Sequence, residues 1–387
     1  MPVCNPDVII IGGGVIGASI CYHLARERVR VVLLERDGLA AGSSGACDGL
    51  LLLQSKKPGI HTSLAIESIE MIARLAGELP LDVEFERKGG LVVMETEEEY
   101  QAMAGFAAER RLEGIDVSLL DAAQARGLEP SLSPEVCGAT FCPSEGQINP
   151  MALTLAFAKG ASQMGARIIQ GEEVRGINLS RGRVSGVVTD KQAYETKIVV
   201  NAAGVFASEI GRMAGLDMPI IPRRGQLVVT AAVPPILDRC LISAGYIAAK
   251  FNPEGAGGAR AGGVSIEQTR SGNFLLGSTR EFVGFDRRTN FQALKRIVNR
   301  AVTIIPGLSE YNIIRSFAGL RPYTPDGLPI LGRVDAVPGL VVAAGHEGDG
   351  ITLSAVTGKL ISELIVDGRP HVPLDEFRCE RFDERFQ

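Results

Sequence analysis

DVIIIGGGVIGASICYHLARERVRVVLLER, residues 7–36, is the stretch of sequence that decides the fold. Residues 8–11 form a continuous apolar run, which is typical of a strand buried on both faces of a parallel sheet. Residues 18–28 have helical periodicity, and residues 29–34 form a second apolar, β-branched run. The stretch therefore predicts a strand–turn–helix–strand unit.

The turn of this unit is rich in glycine. Gly12 permits a tight turn, Gly14 lets backbone N–H groups reach a pyrophosphate, and Gly17 allows the helix to pack closely on the strand. The N-terminus of the following helix favours negative charge. Glu35 ends the second strand, where a carboxylate accepts hydrogen bonds from ribose hydroxyls. The turn therefore predicts a dinucleotide site, and by itself it does not separate NAD from FAD.

Length, composition and charge limit the class of protein. The chain has 387 residues, which allows one large domain or two to three smaller ones. Hydrophobic residues make up 45% and charged residues 22%, and these fractions exclude a disordered, collagen-like or coiled-coil protein. A net charge of −5 argues against a nucleic-acid partner. The 46 glycines predict many tight turns or close backbone approaches.

The cysteines and the hydropathy of the sequence indicate the cellular compartment in which the protein is expected. The seven cysteines are scattered and form no CxxC pair, so we expect reduced thiols and no metal centre. The sequence has no apolar run long enough to span a membrane, and its first residues do not resemble a signal peptide. We therefore expect a cytoplasmic protein without a transmembrane segment.

Periodicity predicts the other secondary structure. Helices are expected over residues 60–79, 97–111, 151–164, 291–304 and 351–366. Three short runs between 172 and 200 predict a β-meander. Further strands are expected between 219 and 285, including one over 243–250 that contains Tyr246 and one over 277–282 that contains Arg280. Residues 254–263 are expected to form a flexible loop.

Four more segments combine small residues with positions at the ends of predicted strands or the starts of helices. They are GSSGACDG (42–49), NAAG (201–204), AGLRPYTPDGLPILG (318–332) and AAGHEGDGITL (343–353). Backbone can approach a cofactor closely at such turns, and a helix N-terminus can hold partial negative charge. Taken alone, each of these segments also fits an ordinary loop.

Together, the motifs resemble the FAD-dependent D-amino acid oxidase (DAO) superfamily. Its members include glycine oxidase, sarcosine oxidase and the catalytic (beta) subunits of bacterial proline, opine and cyanide-forming glycine dehydrogenases. The resemblance covers nearly the whole chain, with the motifs in the right order. GLRPYTPDGLPILG is similar to the family signature RPxTPDxxPxIG, and GHEGDGITLS is similar to its GHxxxGixL stretch. The family often has tryptophan where Phe206 and Phe317 stand in this chain, which has no tryptophan.

The resemblance implies a mixed α/β and α+β fold. A Rossmann-like FAD-binding domain would be discontinuous, and a second domain would consist of an antiparallel sheet plus helices. The expected FAD-binding domain comprises residues 1–83, 143–215 and 320–387. The expected substrate-binding domain comprises residues 84–142 and 216–319, with the active site between the two.

The resemblance also implies where FAD binds. We expect non-covalent FAD, because the region around Arg321 lacks the cysteine of relatives with covalent flavin. Cys47 is expected to be a small packing residue near the flavin. The expected cofactor-binding residues are Gly12, Gly14, Val15, Ile16, Gly17, Glu35, Arg36, Ser43, Ser44, Gly49, Leu50, Val174, Ala203, Gly204, Gly348, Asp349, Gly350, Ile351 and Thr352.

Arg321 is the expected substrate-binding residue. A guanidinium fork binds a carboxylate bidentately and fixes its direction, and the resemblance gives this role to the arginine of RPxT. Tyr246, Tyr323 and His346 are further catalytic candidates, for each of which packing or a structural hydrogen bond is an open alternative. Arg280 is a weaker candidate for the pocket wall. The resemblance requires no general base, so none is expected.

The implied reaction is oxidation of the C–N bond of a small amino or imino acid: glycine, sarcosine, proline, hydroxyproline or a D-amino acid. Hydride would pass to flavin N5 and give an imine or a 2-oxo acid. Two alternatives stay open. In one, the chain is the catalytic subunit of a hetero-oligomeric dehydrogenase that passes electrons to a partner; in the other, it is a non-catalytic or tRNA-modifying flavoprotein. Homo-oligomers and partner subunits are both compatible with the sequence.

Overall fold

Two large β-sheets organise residues 5–251 and 263–382, which are the residues that the computed structural model describes. The strands, in chain order, are β1 (Val8–Ile11), β2 (Val31–Glu35), β3 (Leu50–Leu51), β4 (Gly90–Met94), β5 (Ser118–Asp121), β6 (Gly138–Cys142), β7 (Gly146–Gln147), β8 (Arg167–Gln170), β9 (Val174–Ser180), β10 (Arg183–Thr189), β11 (Ala193–Glu195), β12 (Ile198–Asn201), β13 (Ile221–Thr230), β14 (Cys240–Ser243), β15 (Ser265–Gln268), β16 (Phe274–Gly277), β17 (Ile313–Tyr323), β18 (Ile330–Arg333) and β19 (Leu340–Ala344).

The α-helices in the same part of the chain are α1 (Val15–Arg26), α2 (Ile60–Glu78), α3 (Glu97–Leu112), α4 (Ala122–Leu128), α5 (Pro150–Gln163), α6 (Ala207–Arg212), α7 (Ala244–Phe251), α8 (Phe291–Ile304) and α9 (Ser354–Val366). Four of the five predicted helices are confirmed to within one residue at each end, whereas α9 begins later than predicted, at Ser354. Asn149 caps α5 by accepting a 3.1 Å hydrogen bond from the backbone N–H of Ala152. Among the described residues, no helix has the length and hydropathy needed to cross a membrane.

The first sheet has six strands in the order β18-β19-β12-β1-β2-β8. β1 lies between β2 and β12 and pairs in parallel with both, so the predicted strand–turn–helix–strand unit is confirmed. Each residue of β1 is at most 5% exposed, as its continuous apolar sequence predicts. The carboxyl ends of these three parallel strands meet at one edge of the sheet, which is the usual place for a ligand in an open α/β sheet.

Helices α1, α5 and α9 pack together on one face of this sheet. A small antiparallel sheet of β9, β10 and β11 covers part of the other face. This sheet confirms the predicted meander in part. Its third strand was expected over residues 195–200, but that strand, β11, ends at Glu195. Residues 198–201 instead form β12 of the parallel sheet, because Val199 and Val200 are fully buried there.

The second sheet has eight strands in the order β17-β13-β16-β15-β14-β4-β6-β5. Adjacent strands in this sheet are antiparallel, except that β4 and β14 are parallel. The protein therefore combines a mainly parallel sheet with largely antiparallel ones, which confirms the mixed fold class. The division of the chain into the two expected domains stays a prediction. The loop expected over 254–263 lies outside the described residues except for Gly263.

Two strand predictions in this region are wrong. Residues 244–251, which include Tyr246, form helix α7 rather than a strand. The segment AGYIAAK lacks the alternation of a half-buried strand, and its alanines favour a helix once β14 ends at Ser243. β16 ends at Gly277, so Arg280 lies in the following loop, where Glu281 forms an isolated bridge to Arg224.

The contact between α1 and α9 requires glycine at position 358. A Cβ atom there would overlap the hydroxyl of Ser19 and come within 2.8 Å of His23 Cδ2. We expect Gly358→Ala to lower the free energy of unfolding by about 1–3 kcal/mol, because a well-packed interface must move to accept the methyl group. Thermal unfolding of the flavin-loaded protein measures the change.

Gly105→Ala is the matched control. Gly105 lies within α3, and a Cβ atom there would have no atom within 4 Å. This substitution should raise stability by about 0.5–1 kcal/mol, because alanine favours the helix. Shifts of the same sign for both variants would contradict the packing argument.

Candidate active site

One large cavity lies between the two main sheets. Residues at the carboxyl ends of β1, β2 and β12 line one side, and residues of β13, β17 and α7 line the other. Including the open space at its mouth, the cavity encloses about 1930 Å³ free of protein atoms. The lining extends from the glycine-rich turn after β1 to strands β13 and β17 of the second sheet, which suits an extended ligand such as a dinucleotide.

Most of the predicted cofactor-binding residues line this cavity. They are Gly12, Gly14, Val15, Ile16, Glu35, Arg36, Ser43, Ser44, Leu50, Val174, Ala203, Gly204, Gly348, Gly350 and Ile351. They come from five segments that are far apart in the sequence. The fold therefore brings the predicted motifs to one continuous surface, although their contact with a cofactor stays a prediction.

Four predicted cofactor residues are not part of the lining: Gly17, Gly49, Asp349 and Thr352. Two of them allow close backbone packing beside the cavity. A Cβ atom at Gly17 would overlap the carbonyl oxygen of Gly12, and one at Gly49 would overlap that of Ile148. Gly17 thus stands where the fingerprint requires close helix–strand packing.

The turn between β1 and α1 is held by side chains from two other segments. Gly12 has a φ of +114°, which favours glycine. The carboxylate of Glu35 accepts a 2.6 Å hydrogen bond from the N–H of Gly13, and the hydroxyl of Ser44 accepts a 3.0 Å bond from the N–H of Val15. These bonds fix the helix N-terminus that faces the cavity.

Aromatic rings form the wall farther along this side. Phe206 stacks on Phe285 with ring centroids 5.0 Å apart, and the guanidinium carbon of Arg36 lies 3.7 Å from the Phe206 centroid. Phe206 and Arg36 both line the cavity. Phe206 thus supplies a packed aromatic surface on this part of the cavity wall.

Arg321 lies on β17 and faces the cavity from the second sheet. Its guanidinium donates a 2.9 Å hydrogen bond to the carbonyl of Thr279 and a 2.6 Å bond to the hydroxyl of Ser278. These bonds use two of the five N–H donors of the guanidinium. A Cβ atom at Gly225 would overlap the guanidinium, so glycine on β13 makes room for it.

Glu347 holds Arg321 from the other side. Its carboxylate pairs with Arg223, and Oε1 lies 3.7 Å from Nε of Arg321. Burial acts to raise the pKa of Glu347, but the two guanidinium groups outweigh it and lower the pKa to about 2. The carboxylate is therefore ionised at neutral pH.

Tyr246 and His346 also line the cavity. The guanidinium carbon of Arg280 lies 4.3 Å from the ring centroid of Tyr246. His346 Nε2 is 3.1 Å from the hydroxyl of Thr357. Burial, with a smaller contribution from His61, lowers the pKa of His346 to about 3, so its imidazole is neutral at pH 7.

Tyr323 and Arg280 are not part of the cavity lining. The ring of Tyr323 packs against Phe282 and under the guanidinium of Arg223, 4.6 Å from its centroid. Packing is therefore the role that these contacts support for Tyr323. Its assignment as a catalytic residue stays a prediction.

Asp349 lies in a buried cluster of charges beside the cavity. Its carboxylate accepts hydrogen bonds of 2.6 Å from Lys56 and 2.9 Å from Lys250, and His61 Nε2 is 3.7 Å away. Burial acts to raise the pKa of Asp349, but the lysines outweigh it and lower the pKa far below its ordinary value. The side chain is thus engaged with protein charges.

Sequence reasoning missed Asp48, Glu347 and the lysines that bind Asp349. Asp48 and Glu347 lie within glycine-rich motifs, where an acidic side chain among small residues is the available signal. No local pattern marks Lys56, because its partner is 293 residues away in the sequence. Burial raises the pKa of the Cys47 thiol well above its ordinary value, which fits the packing role expected for it.

Comparison with protein families finds a match along most of the chain. The model described as DAO, FAD dependent oxidoreductase, matches residues 7–364. The hydrogen cyanide synthase subunit HcnC of Pseudomonas protegens is 33% identical, over 97% of this chain and 96% of that protein. Glycine oxidase of Geobacillus kaustophilus is also 33% identical, over 93% and 92%.

Solved structures give the same result. The crystal structure of glycine oxidase from Geobacillus kaustophilus superposes with a TM-score of 0.89 at 30% identity, and 98% of this chain and 99% of that one are covered. L-proline dehydrogenase from P. horikoshii superposes with a TM-score of 0.88 at 26% identity, and 98% of each chain is covered.

We expect Asp349→Asn to lower the free energy of unfolding by about 3–5 kcal/mol, because it leaves two buried lysines without their counter-charge. The pKa of Asp349 is depressed in the folded protein, so its contribution is present above the ordinary value of 3.8 and is lost as the pH falls below it. Denaturant unfolding at pH 7 measures the loss.

Asp335→Asn is the control for this substitution. The side chain of Asp335 is 68% exposed and pairs with Arg378 at the surface. Its loss should cost less than about 1 kcal/mol. Equal effects of the two substitutions would contradict a stabilising role for the buried cluster.

Proposed function

This chain belongs to the DAO family of FAD-dependent oxidoreductases, and on that premise we propose that it oxidises the C–N bond of a small amino or imino acid. The observation that carries the proposal is Arg321, a partly buried arginine that faces the same cavity as the glycine-rich cofactor turns. A guanidinium held in a fixed position is suited to bind a carboxylate. The proposal therefore combines a redox cofactor with a carboxylate-bearing substrate.

The residues present fit FAD. Gly12 and Gly14 line the cavity at the N-terminus of α1, which suits a pyrophosphate, and Glu35 offers a carboxylate to ribose hydroxyls at the end of β2. Phe206 and Arg36 offer a flat surface, and residues 345–348, 350 and 351 line the same cavity. When bound, FAD supplies the acceptor for the two electrons and the hydrogen that leave the substrate carbon.

Arg321 has the task of orienting the substrate. Its bonds to Thr279 and Ser278 and its contact with Glu347 hold the guanidinium before any ligand arrives. A carboxylate bound to this fixed fork has a defined direction, and this sets the position of the carbon next to it. Ordering the arginine in advance reduces the entropy lost on binding.

The neighbouring side chains shape the pocket rather than supply a strong base. His346 is neutral at pH 7 and is hydrogen-bonded to Thr357. Burial raises the pKa of Tyr246, so its phenol stays protonated and is able to donate a hydrogen bond. Both residues line the cavity, where they exclude water and contact the substrate or cofactor.

The relatives support an amino-acid substrate. Glycine oxidase and L-proline dehydrogenase act on a primary and a secondary amine, respectively, each next to a carboxylate. Both cover more than nine-tenths of this chain, so the similarity includes both main sheets. A small amino or imino acid is the substrate class that these activities share.

A second candidate function concerns the electron acceptor. HcnC is a subunit of hydrogen cyanide synthase, and it resembles this chain as closely as glycine oxidase does. We therefore keep the proposal that the chain is a catalytic subunit that passes electrons to a partner protein instead of oxygen.

Arg321→Lys should lower kcat/KM by about 100-fold, because a lysine gives up the bidentate, charge-assisted contact to the carboxylate. Steady-state kinetics of flavin-loaded protein measure this loss. Arg315→Lys is the control, because Arg315 lies on the same strand and is exposed. Equal kcat/KM values for the two variants would rule out Arg321 as the carboxylate-binding residue.

We expect at least one small amino or imino acid to bleach the flavin absorption of the purified protein without oxygen. The screen comprises glycine, sarcosine, both prolines, hydroxyprolines and D-alanine, and it reads out the substrate independently of the acceptor. Bleaching by none of them would refute the proposed function.

An assay of the same purified protein in air then identifies the electron acceptor. Hydrogen peroxide equal to the substrate consumed would identify an oxidase. Reduction of an artificial dye without peroxide would favour the subunit that passes electrons to a partner.

A further inference from the structure

A carboxylate that the proposed function does not use lines the cavity beside Arg321. Asp48 lies in the loop before β3, and its Oδ2 accepts a 3.3 Å hydrogen bond from the hydroxyl of Ser265 on β15. Ser265 is only 1% exposed, so this bond holds the carboxylate of Asp48 against the second sheet. The carboxylate therefore belongs to the wall where the cofactor side and the substrate side of the cavity meet.

Asp48 lacks a close counter-charge. Within residues 5–251 and 263–382, no arginine or lysine nitrogen lies within ion-pair distance of its carboxylate, whereas Glu347 and Asp349 each bind two cations. Of the charges around Asp48, Arg321 acts on it most strongly, followed by Arg280. A partly buried carboxylate without a counter-charge costs free energy, and a cationic ligand group would recover it.

Burial raises the pKa of Asp48, whereas Arg321 and the hydroxyl of Ser265 lower it, so a cationic ligand group beside the carboxylate would favour its ionised form. Glu267 on β15 accepts a 2.7 Å hydrogen bond from the N–H of Gly49, and burial together with Asp48 raises the pKa of Glu267 to about 8. Glu267 is therefore mainly protonated at pH 7. The thiol of Cys47 and the phenol of Tyr246 are also neutral, because burial raises the pKa of each.

We propose that Asp48 binds the protonated amino group of the incoming substrate while Arg321 binds its carboxylate, and that one N–H proton of the ammonium passes to the Asp48 carboxylate before the neighbouring carbon gives up hydride. An amino acid zwitterion carries its positive and negative groups on neighbouring atoms, and the cavity presents an anion and a cation from neighbouring wall segments. Primary and secondary ammonium groups both have N–H donors for a charge-assisted bond to the carboxylate. Hydroxy acids and simple carboxylic acids lack this cation, so the site selects amino and imino acids. This inference rests on the proposed function.

The test measures binding rather than turnover. Wild-type protein with FAD bound is reduced by dithionite without oxygen, so that no ligand is oxidised, and is titrated by calorimetry with glycine, glycolate and acetate. The ligands share a carboxylate and differ in the group on the neighbouring carbon. We expect wild-type protein to bind glycine at least about tenfold more tightly than the other two.

Asp48→Asn should weaken glycine binding by about 10- to 100-fold and change glycolate and acetate binding by less than about threefold, because only glycine loses a charged partner. Asp48→Glu should retain a preference for glycine. Asp217→Asn, at a position where the side chain is 76% exposed, should leave all three affinities unchanged. If Asp48→Asn loses FAD or unfolds, Asp48→Ser replaces it.

Several outcomes would overturn the role of Asp48. In Asp48→Asn or Asp48→Ser, the affinities for all three ligands fall equally, or the affinity for glycine does not change. In the wild-type protein, glycine binds no more tightly than glycolate and acetate. These outcomes are separate from failure of the proposed function, which is read from flavin bleaching in the oxidised wild-type protein. A chain that bleaches with an amino acid but whose Asp48→Asn variant still prefers glycine would refute the Asp48 inference alone.

Discussion

The substrate end of the cavity depends on one carboxylate between two arginines. Arg223 and Arg321 lie directly opposite each other on the paired strands β13 and β17. Like charges at such positions repel, so the pair requires a counter-charge. Glu347 supplies it from the turn after β19, which belongs to the other sheet. The same contact therefore permits the arginine pair, orients Arg321 and joins the two sheets across the cavity.

The turn that carries Glu347 is also held in place by a second carboxylate, that of Asp349. Asp349 binds Lys56, which follows β3, and Lys250, which lies on α7. Buried ion pairs of this kind add little net stability compared with apolar packing, but breaking one leaves an unpaired charge. Gly348 lies between the two carboxylates and lines the cavity. The backbone expected to face the cofactor is thus positioned by charges on both sides of it.

The sequence was sufficient for features whose cause is local. The apolar run of β1, the glycines of the first turn and the Asn149 cap each depend on residues close together in the chain, and all three lie where they were predicted. Helix α7 was missed because a short apolar run also fits a strand buried on both faces, although this run lacks the alternation of a half-buried strand. The ion pairs were also out of reach, because Arg223 and Glu347 are 124 residues apart and no repeated pattern links them.

These charges also explain what kind of ligand the cavity suits. Glu347 with its two arginines and Asp349 with its two lysines each leave one excess positive charge near the lining. A carboxylate is therefore favoured, and Arg321 offers it directed hydrogen bonds. The same field disfavours a cationic amino group unless a negative charge stands beside it. Asp48 is the one cavity-lining carboxylate near Arg321 that is not already paired among the described residues, so its charge makes the site compatible with a zwitterion.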